Sequence, residues 1–203
     1  DEIQWWDNTN IPIMDGSSSA IPLEAGLKSS MLGIEYSKAK ELVKHHKTHE
    51  SFKMLLNGEN DLIFTVPISE EQKKMAEEAG RELVFTPVAK EGFVFIVNKD
   101  NPVDSLTQQQ IRDIYSGKIT NWSEVGGNDE EIIAYQRNSD SGSQNYMTEF
   151  MKGYDLMEAP KSHYLSSMAM IIDGVAFYDN SSRAIGYSVY SYAAQMYENM
   201  EDV

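Results

Sequence analysis

The sequence predicts an α/β fold with mostly parallel sheets, on three observations. Short apolar runs alternate with amphipathic segments along all 203 residues. The helical segments open on capping signals and close on glycine, and two of the apolar runs end in Ser/Gly-rich turns that lead straight into helices.

Residues 11–14 read as a short strand, followed by the turn Asp15-Gly16-Ser17-Ser18-Ser19 and a helix with Pro22 in its first turn and an apolar stripe of Pro22, Leu23, Leu27 and Met31. Residues 38–47 are polar around Leu42 and Val43, an exposed helix or turn. Thr48 is expected to cap a helix that carries Phe52, Leu55 and Leu56 and closes at Gly58. Residues 61–67 form the next strand. Ser69 to Gln72 reads as a capping box for a helix through Met75, Ala76 and Ala79 that ends at Gly80.

Two strands are expected over 83–89 and 92–98, joined by Lys90-Glu91 and forming the natural crossing between two lobes. Ser105 to Gln108 is a second capping box, before a helix marked by Leu106, Ile111, Ile114 and Tyr115 that ends at Gly117. After a turn at Gly126-Gly127, residues 132–135 read as a buried strand, and Tyr146, Met147, Phe150 and Met151 as one face of a helix stopping near Gly153. A Met-rich helix over 168–175, an aromatic strand over 184–192 and an acidic tail complete the order.

Composition narrows the function. A net charge of −15 with a pI near 4.6 repels nucleic acid and anionic membrane surfaces, so an anionic ligand must be held by a local, desolvated site. The apolar runs are too short to span a bilayer and no charged-then-apolar leader begins at Asp1; a soluble chain is expected, compatible with a leader or anchor removed earlier. With no cysteine, disulfides, thiolate chemistry and Cys-ligated zinc are excluded. His45 and His49 are spaced to share a helix face, but the stretch reads better as a helix start, and neither metal nor cofactor is expected. Trp122 and Tyr115 are expected to pack the second lobe, the methionines to fill core, and Trp5 and Trp6 to cover the first lobe or meet a partner.

The segment Arg137-Asn138-Ser139-Asp140-Ser141-Gly142-Ser143-Gln144 stands between a strand and a helix. It combines a guanidinium fork, small hydroxyl donors, backbone N–H groups and the positive end of a helix dipole, which is an anion site in outline. A capped turn beside a surface arginine is the plainer reading. The second Ser-rich turn, at 15–19, favours two helix N-termini aimed at one ligand, beyond the carboxyl ends of strands where α/β sheets bind their ligands.

Several of these residues carry a resemblance. Asn101-Pro102 with Leu106-Thr107, the run from Ile111 through Ser116-Gly117-Lys118-Ile119-Thr120-Asn121 to Trp122, then Glu124-Val125-Gly126-Gly127, Arg137 and Ser141-Gly142-Ser143 resemble the phosphate-binding proteins of bacterial ABC phosphate transporters. The likeness runs from Asp15 to about Tyr190. It implies a type II periplasmic-binding-protein-like fold, two lobes with a ligand cleft between them. Lobe 1 would take residues 1–89, lobe 2 residues 90–187, and 188–203 would be a shortened return segment toward lobe 1.

The resemblance further implies an extracytoplasmic solute-binding protein, not an enzyme, that captures an inorganic oxyanion, phosphate first, for an ABC importer. Its partners would be the anion and the transporter's membrane subunits, and its place the extracellular face of the membrane or the periplasm, lipid-anchored before processing. The implied ligand set is Arg137, Asp140, Ser141, Gly142 and Ser143, with Ser143 where the family has Thr, together with Ser17, Ser18 and the Thr48 hydroxyl.

Two departures from the family matter. The carboxylate that accepts a proton from bound phosphate has no counterpart in Phe64-Thr65-Val66-Pro67, which leaves Asp15 or Asp140 as the acceptor unless Asp140 pairs with Arg137 instead. The chain also stops short, so the first lobe is expected to expose apolar surface and favour a homodimer. The rival readings are an anion-sensing or partner-binding module on the same fold, and a serine-dependent phosphatase needing a base beside Ser141 or Ser17.

Overall fold

In the computed structural model, residues 6–7, 9–176 and 181–196 are described. They divide into two units: Asp1–Val88 with Asp140–Gly142, and Ala89–Ser139 with Ser143–Val203. Of the segment 188–203, the described residues 188–196 fall in the second unit, and 197–203, like Trp5, lie outside the described residues.

In unit 1, β1 (Met14–Gly16) pairs in parallel with β2 (Leu62–Phe64), Gly16 opposite Phe64. A Cβ at position 16 would stand 2.2 Å from the Phe64 carbonyl oxygen; glycine lets the strands close and Ser17 N–H donate to that oxygen at 3.0 Å. The first strand therefore lies later than residues 11–14, because the ladder partner and not local apolarity sets it.

Helix α1 (Ile21–Leu32), with Pro22 at its start, turns inward a face about 100°, one residue step, round from its apolar stripe. Leu23 and Leu27 are exposed, while Glu24 and Lys28 are buried as an i,i+4 ion pair at 2.6 Å, with Lys28 Nζ also donating to Leu42 O at 2.9 Å. Helix α2 (Tyr36–Glu41) packs on α1. Helix α3 (Lys47–Asn57) starts one residue before Thr48, with His46 at the cap position, so Thr48 lies in the first turn and does not cap. It ends as expected at Gly58, in the left-handed conformation. Helix α4 (Glu70–Glu78) opens on the Ser69/Gln72 capping box, and Phe52, Leu56 and Ala76 form the small core of the unit with Ile63, Ile68, Met75 and Leu83.

Residues 83–89 do not form a strand. They join no ladder among the described residues, and Val84, Phe85 and Val88 are 90%, 62% and 63% exposed. β-propensity alone gives their backbone groups no partner.

Unit 2 is built on a three-stranded sheet. β3 (Phe93–Val97) runs antiparallel and β4 (Ile133–Ala134) parallel to the central β7 (Ala184–Val189); beside it β5 (Gln136–Arg137) and β6 (Tyr164–Leu165) form a parallel pair. Helix α5 (Gln108–Tyr115) uses Thr107 and Gln110 as its capping box in place of Ser105 and Gln108. That register puts Leu106 at the position before the cap and Ile111 at the fourth helical position, both packed into the core as a hydrophobic staple does.

Tyr115, Trp122, Met147, Ile185 and Tyr187 are the centre of this core, and Trp122 Nε1 donates to Arg183 O at 2.8 Å. Helix α6 (Gly142–Phe150) follows the Ser-rich loop, and α7 (Met168–Ala176) packs on β7 through Ile171, Ile172 and Val175.

Candidate functional site

Arg137 is delivered by two consecutive short strands, β4 and β5, at the end of the second of which it is 7% exposed. Its backbone N–H donates to Tyr187 OH at 2.9 Å and to Gln144 Oε1 at 3.2 Å, and Tyr187 OH itself donates to Gln144 Oε1. Burial pushes the Tyr187 phenol far above its ordinary value, outweighing the Arg137 contacts that lower it, so it stays a neutral donor across the physiological range.

The guanidinium is held at both ends. Nη1 donates to Ser143 Oγ at 3.1 Å and Nη2 to Ser166 O at 3.2 Å. Asp140 is exposed and takes no part in this clamp, so the Arg137 pairing considered for it is replaced by Ser143 and a backbone carbonyl. Ser143 and Gln144 are buried in the first turn of α6, and Ser141 is half-buried.

Gly142 belongs with unit 1. A Cβ built on it would stand 2.7 Å from Thr48 Oγ1 and 3.0 Å from Val66 Cγ2, a space that glycine alone leaves open. Thr48 is 5% exposed. Ser17 is also buried, its Oγ 3.1 Å from Ser19 Oγ, and Ser18 begins a short 3-10 turn over Ser18–Ala20.

Asp15 has a different task from the one considered for it. Its carboxylate, 1% exposed, accepts from Gly16 N at 2.7 Å, His46 N at 2.8 Å, His46 Nδ1 at 2.6 Å and Asn60 Nδ2 at 3.4 Å. Four donors use its acceptor capacity, which leaves none for a ligand proton. Burial, the largest influence, pushes this carboxyl up, but the hydrogen bonds from the His46 ring and backbone and from Gly16 outweigh it and hold the group below the usual carboxylate value. The network ties the end of β1 to the start of α3, fixing Ser17 and Thr48 relative to each other.

His46, Asn60, Gln144, Tyr187 and Ser166 were not foreseen as site-supporting residues. Each acts across 7 to 50 residues of sequence, which no local pattern records. Among the described residues no cluster of three His, Asp or Glu side chains is placed to hold a metal, and no helix is long and apolar enough to cross a membrane.

The family model of the PBP superfamily domain matches residues 14–201. The phosphate-binding protein PstS of Staphylococcus epidermidis is 28% identical over 193 residues, covering 93% of this chain and 57% of its own. PstS of Staphylococcus saprophyticus is 29% identical over 160 residues, covering 77% and 48%. The chain thus spans about half the length of the curated relatives it matches.

Among solved structures, a protein of Clostridium perfringens classed as a phosphate ABC transporter substrate-binding protein, crystallised with bound phosphate, superposes with a TM-score of 0.66 at 26% identity, over 89% of this chain and 71% of that one. An ABC-type phosphate transport receptor of Vibrio cholerae shares the fold, with a TM-score of 0.54 at 23% identity over 87% and 70%.

Proposed function

This chain belongs to the PBP superfamily domain family, and from that premise we propose that it is a solute-binding protein that captures a tetrahedral oxyanion, phosphate first, for an ABC importer. The observation that carries the reading is the clamped guanidinium of Arg137, buried at a strand end beside Ser143 and the first turn of α6. A buried, pre-oriented arginine fork next to hydroxyl and amide donors suits an anion that must shed its water. Ser141, Gly142 and Ser143, with Ser17, Ser18 and Thr48, are the further donors of this reading; Asp140, being exposed, contributes at its rim.

Binding and release need no covalent step, and closure around the ligand would come from contacts made only in the bound state. The Asp15–His46 pair is the arrangement nearest to a hydrolase's acid–base set, yet Ser17 Oγ pairs with Ser19 Oγ and not with that imidazole. The proposal places the protein outside the cytoplasmic membrane, lipid-anchored, with the importer's membrane subunits as partners. Calorimetric titration of ligand-stripped protein with phosphate, sulfate and molybdate tests it. Phosphate binding that Arg137→Ala abolishes is the expected result, and no binding of any of the three anions by the wild type sinks the reading in favour of a sensing or partner-binding module.

A second reading concerns assembly. Ile13, Leu23, Leu27, Leu42, Val84, Phe85 and Val88 all expose apolar surface in unit 1, and the proposed occupant is a second copy of the chain. Sedimentation velocity across a hundredfold concentration range is the check; a monomer throughout removes it.

A further inference from the structure

We propose that the outer edge of β3, in unit 2, is a docking site for β3 of a second copy of this chain, paired antiparallel about Phe95. The proposal rests neither on the anion site nor on the exposed apolar residues of unit 1. β3 is an end strand of its sheet, whose order is β3-β7-β4. One step beyond the Phe93–Val189 pair, Gly92 O accepts from Tyr190 N at 2.8 Å, which makes these two residues a hydrogen-bonded pair of the antiparallel ladder. Bonded and non-bonded pairs then alternate along the register. Val94 with Ser188 and Ile96 with Gly186 are bonded, and Phe93, Phe95 and Val97 turn their N–H and C=O groups away from β7. Among the described residues, no backbone hydrogen bond from another segment reaches those groups.

This edge lacks the devices that usually keep such a row from pairing with another chain. Phe93 to Val97 include no charge, proline or glycine. Phe93, Phe95 and Val97 pack on the core around Tyr115 and Tyr187, and Val94 and Ile96 pack with Ile171 and Val175 of α7. Both faces are thus covered, and what β3 offers a partner is its edge.

Charge decides which partner fits. Pairing of β3 with itself about Phe95 sets Phe93 opposite Val97 and lets each copy donate three backbone hydrogen bonds to the other, from Phe93, Phe95 and Val97. The same register, carried past both ends, sets Glu91 opposite Lys99 and Lys90 opposite Asp100, and the two-fold axis forms each pair twice. Every charge at the ends of the strand therefore meets its opposite. A parallel pairing in register would set Lys90 beside Lys90 and Asp100 beside Asp100. Lys90, Lys99 and Asp100 are exposed, and the Glu91 carboxylate is fixed at the strand start by Gly92 N, Ser191 N and Ser191 Oγ. The net charge of −15 on each copy opposes association. The contact is also small, so the dimer is expected to be weak, with a dissociation constant on the order of 100 μM.

The test uses the full chain as wild type, Lys90→Glu, Asp100→Lys, the exchange Lys90→Asp with Asp100→Lys, and Phe85→Lys. Sedimentation equilibrium from about 10 μM to about 1 mM is combined with amide hydrogen exchange followed by NMR. The substituted positions are exposed, so each variant should keep the wild-type Tm. The wild type is expected to dimerise, and each single charge change to weaken the dimer about tenfold, since symmetry counts every lost pair twice and adds a repulsion. The exchange should return affinity to within about threefold of wild type, and Phe85→Lys should leave it unchanged. With rising protein concentration the amides of Phe93, Phe95 and Val97 should exchange more slowly, while those of Val94 and Ile96, already in the ladder, do not change. Association through any other surface would not produce that alternation. A dimer that ignores the charge changes, or that forms without the alternating protection, overturns the proposal. A dimer lost in Phe85→Lys with the β3 amides unchanged assigns assembly to the unit 1 surface instead, and a monomer throughout removes both. None of these outcomes bears on the oxyanion reading, which the phosphate titration decides separately.

Discussion

Replacing Tyr187 by Phe isolates the support of the arginine from the packing around it. The phenol ring lies 5.5 Å from Phe93, 6.3 Å from Phe95 and 5.8 Å from Tyr115 between ring centroids, and Phe keeps every one of those contacts. What disappears is the hydroxyl, with one hydrogen bond accepted from Arg137 N–H and one donated to Gln144 Oε1. The site is fully buried, so water does not replace them. At about 1 kcal/mol for each bond the loss is about 2 kcal/mol, and for a chain of this size that is a Tm lower by roughly 4–8 °C. Arg137 N–H keeps Gln144 Oε1 at 3.2 Å, which prevents a larger collapse. Differential scanning calorimetry of ligand-free protein measures the shift, and phosphate titration measures the accompanying loss of affinity, expected to be several-fold. Because burial keeps the phenol neutral, the difference between variant and wild type should be the same at pH 6 and pH 9. A Tm within 1 °C of wild type, with unchanged affinity, would refute the idea that this hydroxyl holds the strand end in place.

Two other perturbations probe unit 1. Asp15 has its carboxyl depressed in the folded state, so the stability it contributes is fully present above the ordinary value of 3.8 and is lost as pH falls through its lower folded value. Thermal melts between pH 6 and pH 2.5 should show a shallower acid decline for Asp15→Asn than for wild type, and parallel curves would contradict the network. Glu24→Ala leaves the buried ammonium of Lys28 with Leu42 O alone and should cost about 3 kcal/mol by urea denaturation, whereas the double change Glu24→Leu with Lys28→Met should recover most of it. Equal midpoints for Glu24→Ala and wild type would show that the pair carries no weight.

How far the sequence reads into this molecule depends on the range of the forces involved. The Ser69/Gln72 box, the left-handed glycine closing α3, the strand–loop–helix unit around Arg137 and the inward packing of Trp122 were all legible, because capping, turn chemistry and periodicity act within a few residues. Even there, the box expected at Ser105 and Gln108 formed two residues later, at Thr107 and Gln110, where Leu106 before the cap and Ile111 after it both pack into the core.

The tertiary structure decided what depends on distant partners. It moved β1 onto Asp15 and Gly16 because Phe64 lies opposite, and it left 83–89 without a ladder despite its β-forming residues. It turned α1 so that Glu24 and Lys28 face inward, an arrangement periodicity cannot foresee because each charge is made tolerable by the other and by a carbonyl fourteen residues away. The proposed anion donors were therefore nameable from sequence as residue types in a turn. Their supports, Tyr187 and Gln144 behind Arg137 and His46 and Asn60 around Asp15, exist only because folding brings buried hydrogen-bonding groups together where water is no longer an alternative partner.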